Sequence, residues 1–230
     1  MKVLITSFSM LLMGFSVYAK DCIDVEFTDG SHKKISVKHA EITFEDIDRT
    51  VSGSVASHDY VDLGLSVKWA TCNLGAEKPQ DKGDYYMYGD IVPATSRENA
   101  YNPPFSSWEA LPSQYDAATV NWGEEWRMPT KEEFQELFEG CNWSKIEEGG
   151  RTIFVGTSIK TKNTIFLPAA GDYNTYSLQV ENDNKEANYR TSNRQGYLSV
   201  CVNVSKWYSL NFETANWDRK WGICVRPVTK

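Results

Sequence analysis

The polar and apolar positions change rhythm several times along this chain, and each rhythm predicts a different element. Met1-Lys2 precedes an apolar run from Val3 to Val17, which closes on Val17-Tyr18-Ala19. One positive charge, a short apolar core and a small residue at the end make a secretory leader. The run is shorter than the roughly 20 residues that span a bilayer. No positive stop-transfer cluster follows it, so an uncleaved anchor is the weaker reading. Cys22 lies close by, but Ala19-Lys20-Asp21 lacks the small apolar residues of a lipid-attachment site. Beyond the leader, Ile23, Val25 and Phe27 alternate with polar residues, Asp29-Gly30 supplies a turn, and Ile35 and Val37 resume the alternation. This predicts a small β-hairpin extension over 20–48. The Ser- and Gly-containing stretch 49–58 reads as a linker.

A second alternation, Val61, Leu63, Leu65, Val67 and Trp69, predicts one apolar face of a strand at the start of a main domain over 59–230. Residues 91–114 hold four of the eight prolines and predict a long irregular loop, followed by a short helix over 116–122. After Pro129, Thr130 and Glu133 form a capping box. Phe134, Leu137 and Phe138 then share a helical face, and Gly140 stands where a left-handed C-terminal residue is wanted. Strands are expected at 153–155, 164–167, 197–204, 207–212 and 222–228. Between them, 172–195 is polar and rich in Asn and Tyr, with no apolar period. The fold class expected from this order is α+β.

Composition narrows the partners. Net charge is -7, and loss of a leader bearing only Lys2 leaves -8. Lys and Arg are scattered, so nucleic acid and anionic membrane are poor partners. Aromatic residues make up 13% of a chain whose mean hydropathy is -0.48. That many rings suit a β-rich core with some left for a binding face. With five cysteines in an exported chain, disulfides are the default. Cys201 and Cys224 lie on neighbouring late strands, and Cys72 and Cys141 follow two motif-bearing elements, which gives the pairs Cys201–Cys224 and Cys72–Cys141 and leaves Cys22 over.

Four ordered motifs carry a family resemblance. They are Asp62-Leu63-Gly64-Leu65-Ser66-Val67-Lys68-Trp69-Ala70-Thr71-Cys72-Asn73; Trp122-Gly123 with Trp126-Arg127-Met128-Pro129-Thr130; Ile165-Phe166-Leu167-Pro168-Ala169-Ala170-Gly171; and Val225-Arg226-Pro227-Val228. Together they resemble the Fibrobacter major paralogous (FISUMP-type) domain, frequent in secreted and surface proteins of Bacteroides-like bacteria. The chain is also similar to the collagen-like-adhesin C-terminal family with its W-R-x-P-T motif. The resemblance covers 59–230. It implies a C-type-lectin-like fold, with twisted antiparallel sheets, one or two short helices and long loops, shared with formylglycine-generating enzymes. One departure stands out: family members often carry Gly-Tyr-Trp-Ser-Ser where this chain has Gly196-Tyr197-Leu198-Ser199-Val200-Cys201.

The motifs themselves have a structural account. Trp69, Trp122 and Trp126 are suited to plugging the ends of a β core. Arg127 is within reach of Glu132 or Glu133 for an ion pair. Catalytic chemistry finds little footing. His32, His39 and His58 all precede the expected domain, which removes Ser-His-Asp, Cys-His and His-based zinc arrangements within it. The pairs Glu124-Glu125 and Glu132-Glu133 read as helix-terminus charges rather than a glycosidase pair. Asn216-Trp217-Asp218 is a permuted version of a lectin calcium triplet, and calcium needs six or more oxygens. No catalytic residue, metal or cofactor is therefore expected.

What remains is a candidate ligand face on 172–195 and 213–221: Tyr173, Tyr176, Tyr189, Arg190, Asn193, Arg194, Trp217 and Trp221. These residue types stack on and hydrogen-bond to sugars or proteins. The reading is an exported lectin-like binding or adhesion module whose ligand is a glycan or surface protein. The alternatives are an enzyme, either an oxidase of the formylglycine-generating type or a glycosidase, and a structural surface module without a small ligand. Cleavage is expected after Ala19, so N-terminal sequencing of protein from its native host should begin at Lys20; a retained Met1 would contradict the leader.

Overall fold

The computed structural model describes the backbone of residues 15–16, 22–26, 32–36, 50–96, 111–195, 198–206 and 210–230. The expected cleavage point after Ala19 lies outside them. The side chains of Cys22, Tyr197 and Trp217, and Val37 of the expected alternation, lie outside them as well. The chain divides into two compact units, Met1–Asp48 and Arg49–Lys230. The first holds a three-stranded antiparallel sheet: β1 (Phe15–Ser16), β2 (Cys22–Glu26) and β3 (His32–Ser36), in that order. Strands β2 and β3 pair from Cys22↔Ser36 to Glu26↔His32, the hairpin that the alternation predicts.

The second unit is mixed α+β, mostly antiparallel sheet with two short α-helices among the described residues. Its first sheet runs β17 (Val228–Thr229), β6 (Lys68–Ala70), β5 (His58–Val61), β4 (Gly53–Val55). The stretch expected as a linker is thus a hairpin of this sheet. Ser and Gly there serve a tight turn through Ala56 and Ser57, both at positive φ. His58 belongs to this unit too, stacked on Trp122 with ring centroids 3.8 Å apart. Val61, Leu63, Val67 and Trp69 are buried and Leu65 packs on them. The alternation nevertheless spans two strands: the chain turns between Val61 and Lys68, with Gly64 at φ +70°.

The largest sheet has five strands in the order β15 (Leu210–Trp217), β14 (Leu198–Lys206), β13 (Glu186–Gln195), β16 (Ile223–Cys224), β7 (Tyr85–Tyr86). Only β13 and β16 run parallel. A three-stranded sheet sets β9 (Arg151–Ser158) between β10 (Thr164–Pro168) and β8 (Cys141–Glu148). Strands β11 (Asp172–Asn174) and β12 (Gln179–Glu181) form a hairpin. The polar stretch expected to be irregular is therefore largely strand, and β13 lies at the middle of the five-stranded sheet.

Helix α1 (Ala117–Trp122) is capped by Asp116, whose carboxylate accepts from the N–H groups of Ala118 and Thr119. Helix α2 (Lys131–Glu139) carries the expected Thr130–Glu133 capping box and buries Phe134 and Leu137. Gly140 is right-handed (φ -80°), not left-handed as expected. Glycine is needed there for space: a Cβ would lie 2.6 Å from Leu65 Cδ2 and 2.9 Å from Glu136 O.

Three of the four motifs meet at one buried cation. Arg226 is fully buried and donates only to uncharged oxygens: Nε to Asn73 Oδ1 (2.8 Å), Nη1 to Ala70 O (3.0 Å) and Thr71 O (2.5 Å), Nη2 to Phe166 O (2.8 Å). Pro227 O accepts from Ala70 N, and Val228 bridges both Trp69 and Arg127. The segment that ends the chain is thereby bonded to all three other motifs. Trp69 and Trp126 are wholly buried, as expected of core plugs, whereas Trp122 is half-buried. Replacing Arg226 by Met should strand four buried acceptors. The expected cost is about 3–5 kcal/mol, a fall in the thermal midpoint of roughly 10 °C. Arg226→Lys should recover little, since one ammonium cannot span this fork. Thermal denaturation followed by circular dichroism checks both.

Candidate functional site

Local chemistry builds the tip of the β11–β12 hairpin. Gly171 enters it at φ +65°, where a Cβ would lie 2.0 Å from Glu181 O, so only glycine lets the strands cross. Asn174 Oδ1 accepts from the N–H of Tyr176 (2.9 Å) and Ser177 (3.2 Å), an Asx turn that reverses the chain. Its Nδ2 donates to Glu181 Oε1 (2.7 Å) and closes the hairpin's mouth. Tyr173 and Gly222 exchange backbone bonds at 2.7 and 2.8 Å, and Thr175 Oγ1 donates to Lys220 O (3.0 Å). The hairpin therefore stands beside the 218–222 turn, itself closed by Trp221 N to Asp218 O (3.1 Å).

This places one large ring and two aliphatic side chains in solvent. Tyr176 and Leu178 are each 66% exposed and Val180 is 39% exposed. Trp221, in the adjoining 218–222 turn, is half-buried. Tyr176 OH lies 3.4 Å from Asp218 Oδ2, and the nearby carboxylate raises the phenol's pKa. The surface thus combines an exposed ring, apolar contacts, a carboxylate and the amide of Asn174, and it is fixed at both ends by backbone bonds.

Several expected ligand residues lie elsewhere. Tyr173 and Tyr189 are core residues, and Tyr189 OH donates to Pro168 O (3.3 Å). Burial pushes the Tyr189 phenol up to about 12. Arg190 is fully buried: it donates to the Trp221 carbonyl, to Tyr86 O (3.4 Å) and toward Cys201 Sγ (3.3 Å). It supports the 218–222 turn from inside rather than meeting a ligand. Asn193 Oδ1 accepts from Lys131 N (2.7 Å), so its amide satisfies the first turn of α2. Arg194 is half-buried on β13, past a break in register after Arg190. Trp217 is on β15 opposite Ser199, and its side chain lies outside the described residues. Of the eight candidates, Tyr176 and Trp221 fit a surface site, with Tyr173 anchoring it from below. Leu178, Val180 and Asp218 join them. The signal for these was Asn174, an Asx-turn former set among residues without apolar period.

The expected disulfides are absent from the structure: neither Cys201–Cys224 nor Cys72–Cys141 is bonded. For Cys201–Cys224 the reason is register. Strand β13 separates the two strands, with Cys201 opposite Arg190 and Cys224 opposite Tyr189. Successive strand residues face opposite ways, so the two thiols lie on opposite faces of the sheet. Burial pushes the Cys141 and Cys224 thiols up to about 12, which makes them poor nucleophiles.

Two further groups of charges are structural. An open cleft of about 680 Å³ is lined by Asp116, Thr119, Val120, Glu124 and Arg127 among others. Both Asp116 oxygens accept from Met128 N (3.1 and 2.9 Å) besides capping α1, and burial raises this carboxyl's pKa. Arg127 pairs bidentately with Glu133 (2.9 and 2.5 Å), the partner that the capping box holds in place. Burial opposes the charge on Glu133, but Arg127 and Thr130 hold its pKa below the usual range. Among the described residues no three His, Cys, Asp or Glu side chains converge as metal ligands would. No described helix is long and apolar enough to cross a membrane.

No family model, curated protein or solved structure matches the chain. The burial pattern separates scaffold from surface. Tyr189→Ala with Arg190→Ala should lower the thermal midpoint by roughly 10 °C or abolish folding, as cavity and unsatisfied-polar losses combine. Tyr176→Ala should leave the midpoint within roughly 2 °C. Differential scanning calorimetry of the two variants checks the assignment.

Proposed function

We propose that this chain is an exported lectin-like binding or adhesion module of the FISUMP type, with a C-type-lectin-like fold, that holds a glycan or a surface protein at the β11–β12 tip. One observation carries the reading: Tyr176 and Leu178 are two-thirds exposed on a loop whose backbone is fixed at both ends. Large apolar groups held rigidly in water suit recognition, because little conformational freedom is lost on binding. A pyranose face stacks on a tyrosine ring, and the Asp218 carboxylate beside it supplies acceptors for hydroxyls. The oxidase alternative asks for paired thiols to bind copper, and Cys201 and Cys224 face opposite sides of β13.

A face this small should bind weakly, in the micromolar-to-millimolar range, and gain from several copies on one surface. Glycan-array binding of multivalently displayed protein tests the reading. Tyr176→Ala with Trp221→Ala should lower binding at least roughly fivefold, as loss of about 1–2 kcal/mol implies. The variant must keep the wild-type melting midpoint. A folded variant with unchanged binding moves the site elsewhere; binding to purified surface protein but to no glycan selects the protein ligand.

A further inference from the structure

At the root of the same hairpin lies a carboxylate in an unusual position. Asp172, the first residue of β11, is fully buried. Its Oδ1 accepts from Asn182 Nδ2 (3.0 Å) and Asn188 Nδ2 (3.1 Å), while its Oδ2 has no hydrogen-bond partner. The same Asn188 amide lies 3.4 Å from Glu186 Oε2, which also accepts from Asn203 Nδ2 (2.9 Å). Glu181 sits opposite Asp172 across the hairpin. Among the described residues no Lys or Arg pairs with any of the three. The nearby cations Lys82 and Arg151 are both engaged by Asp183.

A buried carboxylate beside two others, answered only by neutral amides, is costly while ionised. We propose that the Asp172 carboxyl is a proton-operated latch, which fastens the β11–β12 hairpin to β13 when protonated and loosens it when ionised. The latch rests on the reading above, in which this hairpin carries the ligand face. The groups facing it are few. Glu181 comes from β12, Glu186 from β13 and Tyr85 from β7, and Tyr85 in turn feels Cys224, Asp183 and Arg151. Strands β13 and β14 add only the amides of Asn188 and Asn203. Burial first, then Glu181 and Glu186, raises the carboxyl's pKa from 3.8 to about 6, against the pull of the Asn182 and Asn188 amides.

The sign follows. A raised folded-state pKa means that the closed hairpin binds a proton that the open one releases. Closure is therefore favoured as pH falls through about 6, and the gain levels off below the ordinary carboxyl value of 3.8. Between pH 7.5 and pH 5 the closed-to-open ratio should rise about tenfold. A ligand that needs the ordered tip would bind more tightly in acid.

Hydrogen exchange on the full chain, corrected for intrinsic rates, reads this without any ligand. The amides of Tyr173 and Gly222, which bond across the hairpin's inner edge, should gain about tenfold protection from pH 7.5 to pH 5. Asp172→Asn should remove that gradient. A flat wild-type profile, or a gradient that survives in Asp172→Asn, overturns the latch. A carboxyl-carbon NMR titration of the wild type guards against a variant that fails to fold: a midpoint near 6 supports the proposal, and one near 4 overturns it. Glu186→Gln should lower that midpoint; an unmoved midpoint overturns the carboxylate cluster as its cause. These readouts are independent of glycan binding, so the latch and the ligand face can fail separately.

Discussion

The guanidinium of Arg226 is the constraint on which the rest of the main unit depends. Among the described residues it has no carboxylate partner; it donates to three backbone carbonyls and one amide oxygen. Those acceptors belong to segments far apart in sequence, Ala70 to Asn73 and Phe166. A planar fork with fixed donor directions sets the relative position of everything it touches, which a flexible ammonium would not do. Three of the acceptors are main-chain groups that would otherwise lack this donor. Arg226 therefore solves two problems together: a buried charge, and the carbonyls of Ala70, Thr71 and Phe166 that need a donor. The Arg127–Glu133 pair then orients α2, and Arg127 is bonded through its own backbone to Val228, two residues from Arg226.

A second arginine repeats the device on the other side of the sheet. Arg190 sends its donors to the carbonyls of Tyr86 and Trp221, and so positions the turn beside the candidate site. Its neighbours in β13 divide cleanly. Ala187 and Tyr189 face the apolar core, while Asn188 joins Asp172, Glu186 and Asn203 in a polar layer. A central strand is thus specified on one face by two apolar residues and on the other by hydrogen bonds.

That division explains which parts of the fold could be read from sequence. Where packing is apolar, the pattern showed through. The face of Phe134 and Leu137, the capping box, and the apolar cores of β9 and β10 follow from residue spacing. Where packing is polar, it did not. Strand β13 reads Glu-Ala-Asn-Tyr-Arg-Thr-Ser-Asn-Arg-Gln, which no hydrophobic alternation would nominate. Edge strand β8 buries few of its residues for the same reason. The candidate site suffered most, because exposure was inferred from polarity: Tyr189 and Arg190 are polar yet turned inward, Asn193 is spent on the first turn of α2, and among the described side chains of the eight Tyr176 alone is mainly exposed. The cysteine pairing failed on topology, since β16 returns parallel to β13 and not beside β14.

The hairpin shows how such an architecture separates an exposed tip from a fixed interior. Tyr173 is its anchoring ring, set in the core near Tyr85 with centroids 6.1 Å apart. Every other hold on it is polar: the exchange with Gly222, the hydroxyl of Thr175 on Lys220 O, and the amides around Asp172. Hydrogen bonds orient without demanding a particular side chain at the tip, because backbone atoms supply most of the partners. Positions 176, 178 and 180 can therefore change their chemistry without touching the core. Their conformation would persist, because Gly171 and Asn174 fix the path of the chain on either side. On the proposed reading, a scaffold built this way sets its recognition residues where they contribute almost nothing to its stability. Its interior is held by Arg190 and Arg226, both fully buried.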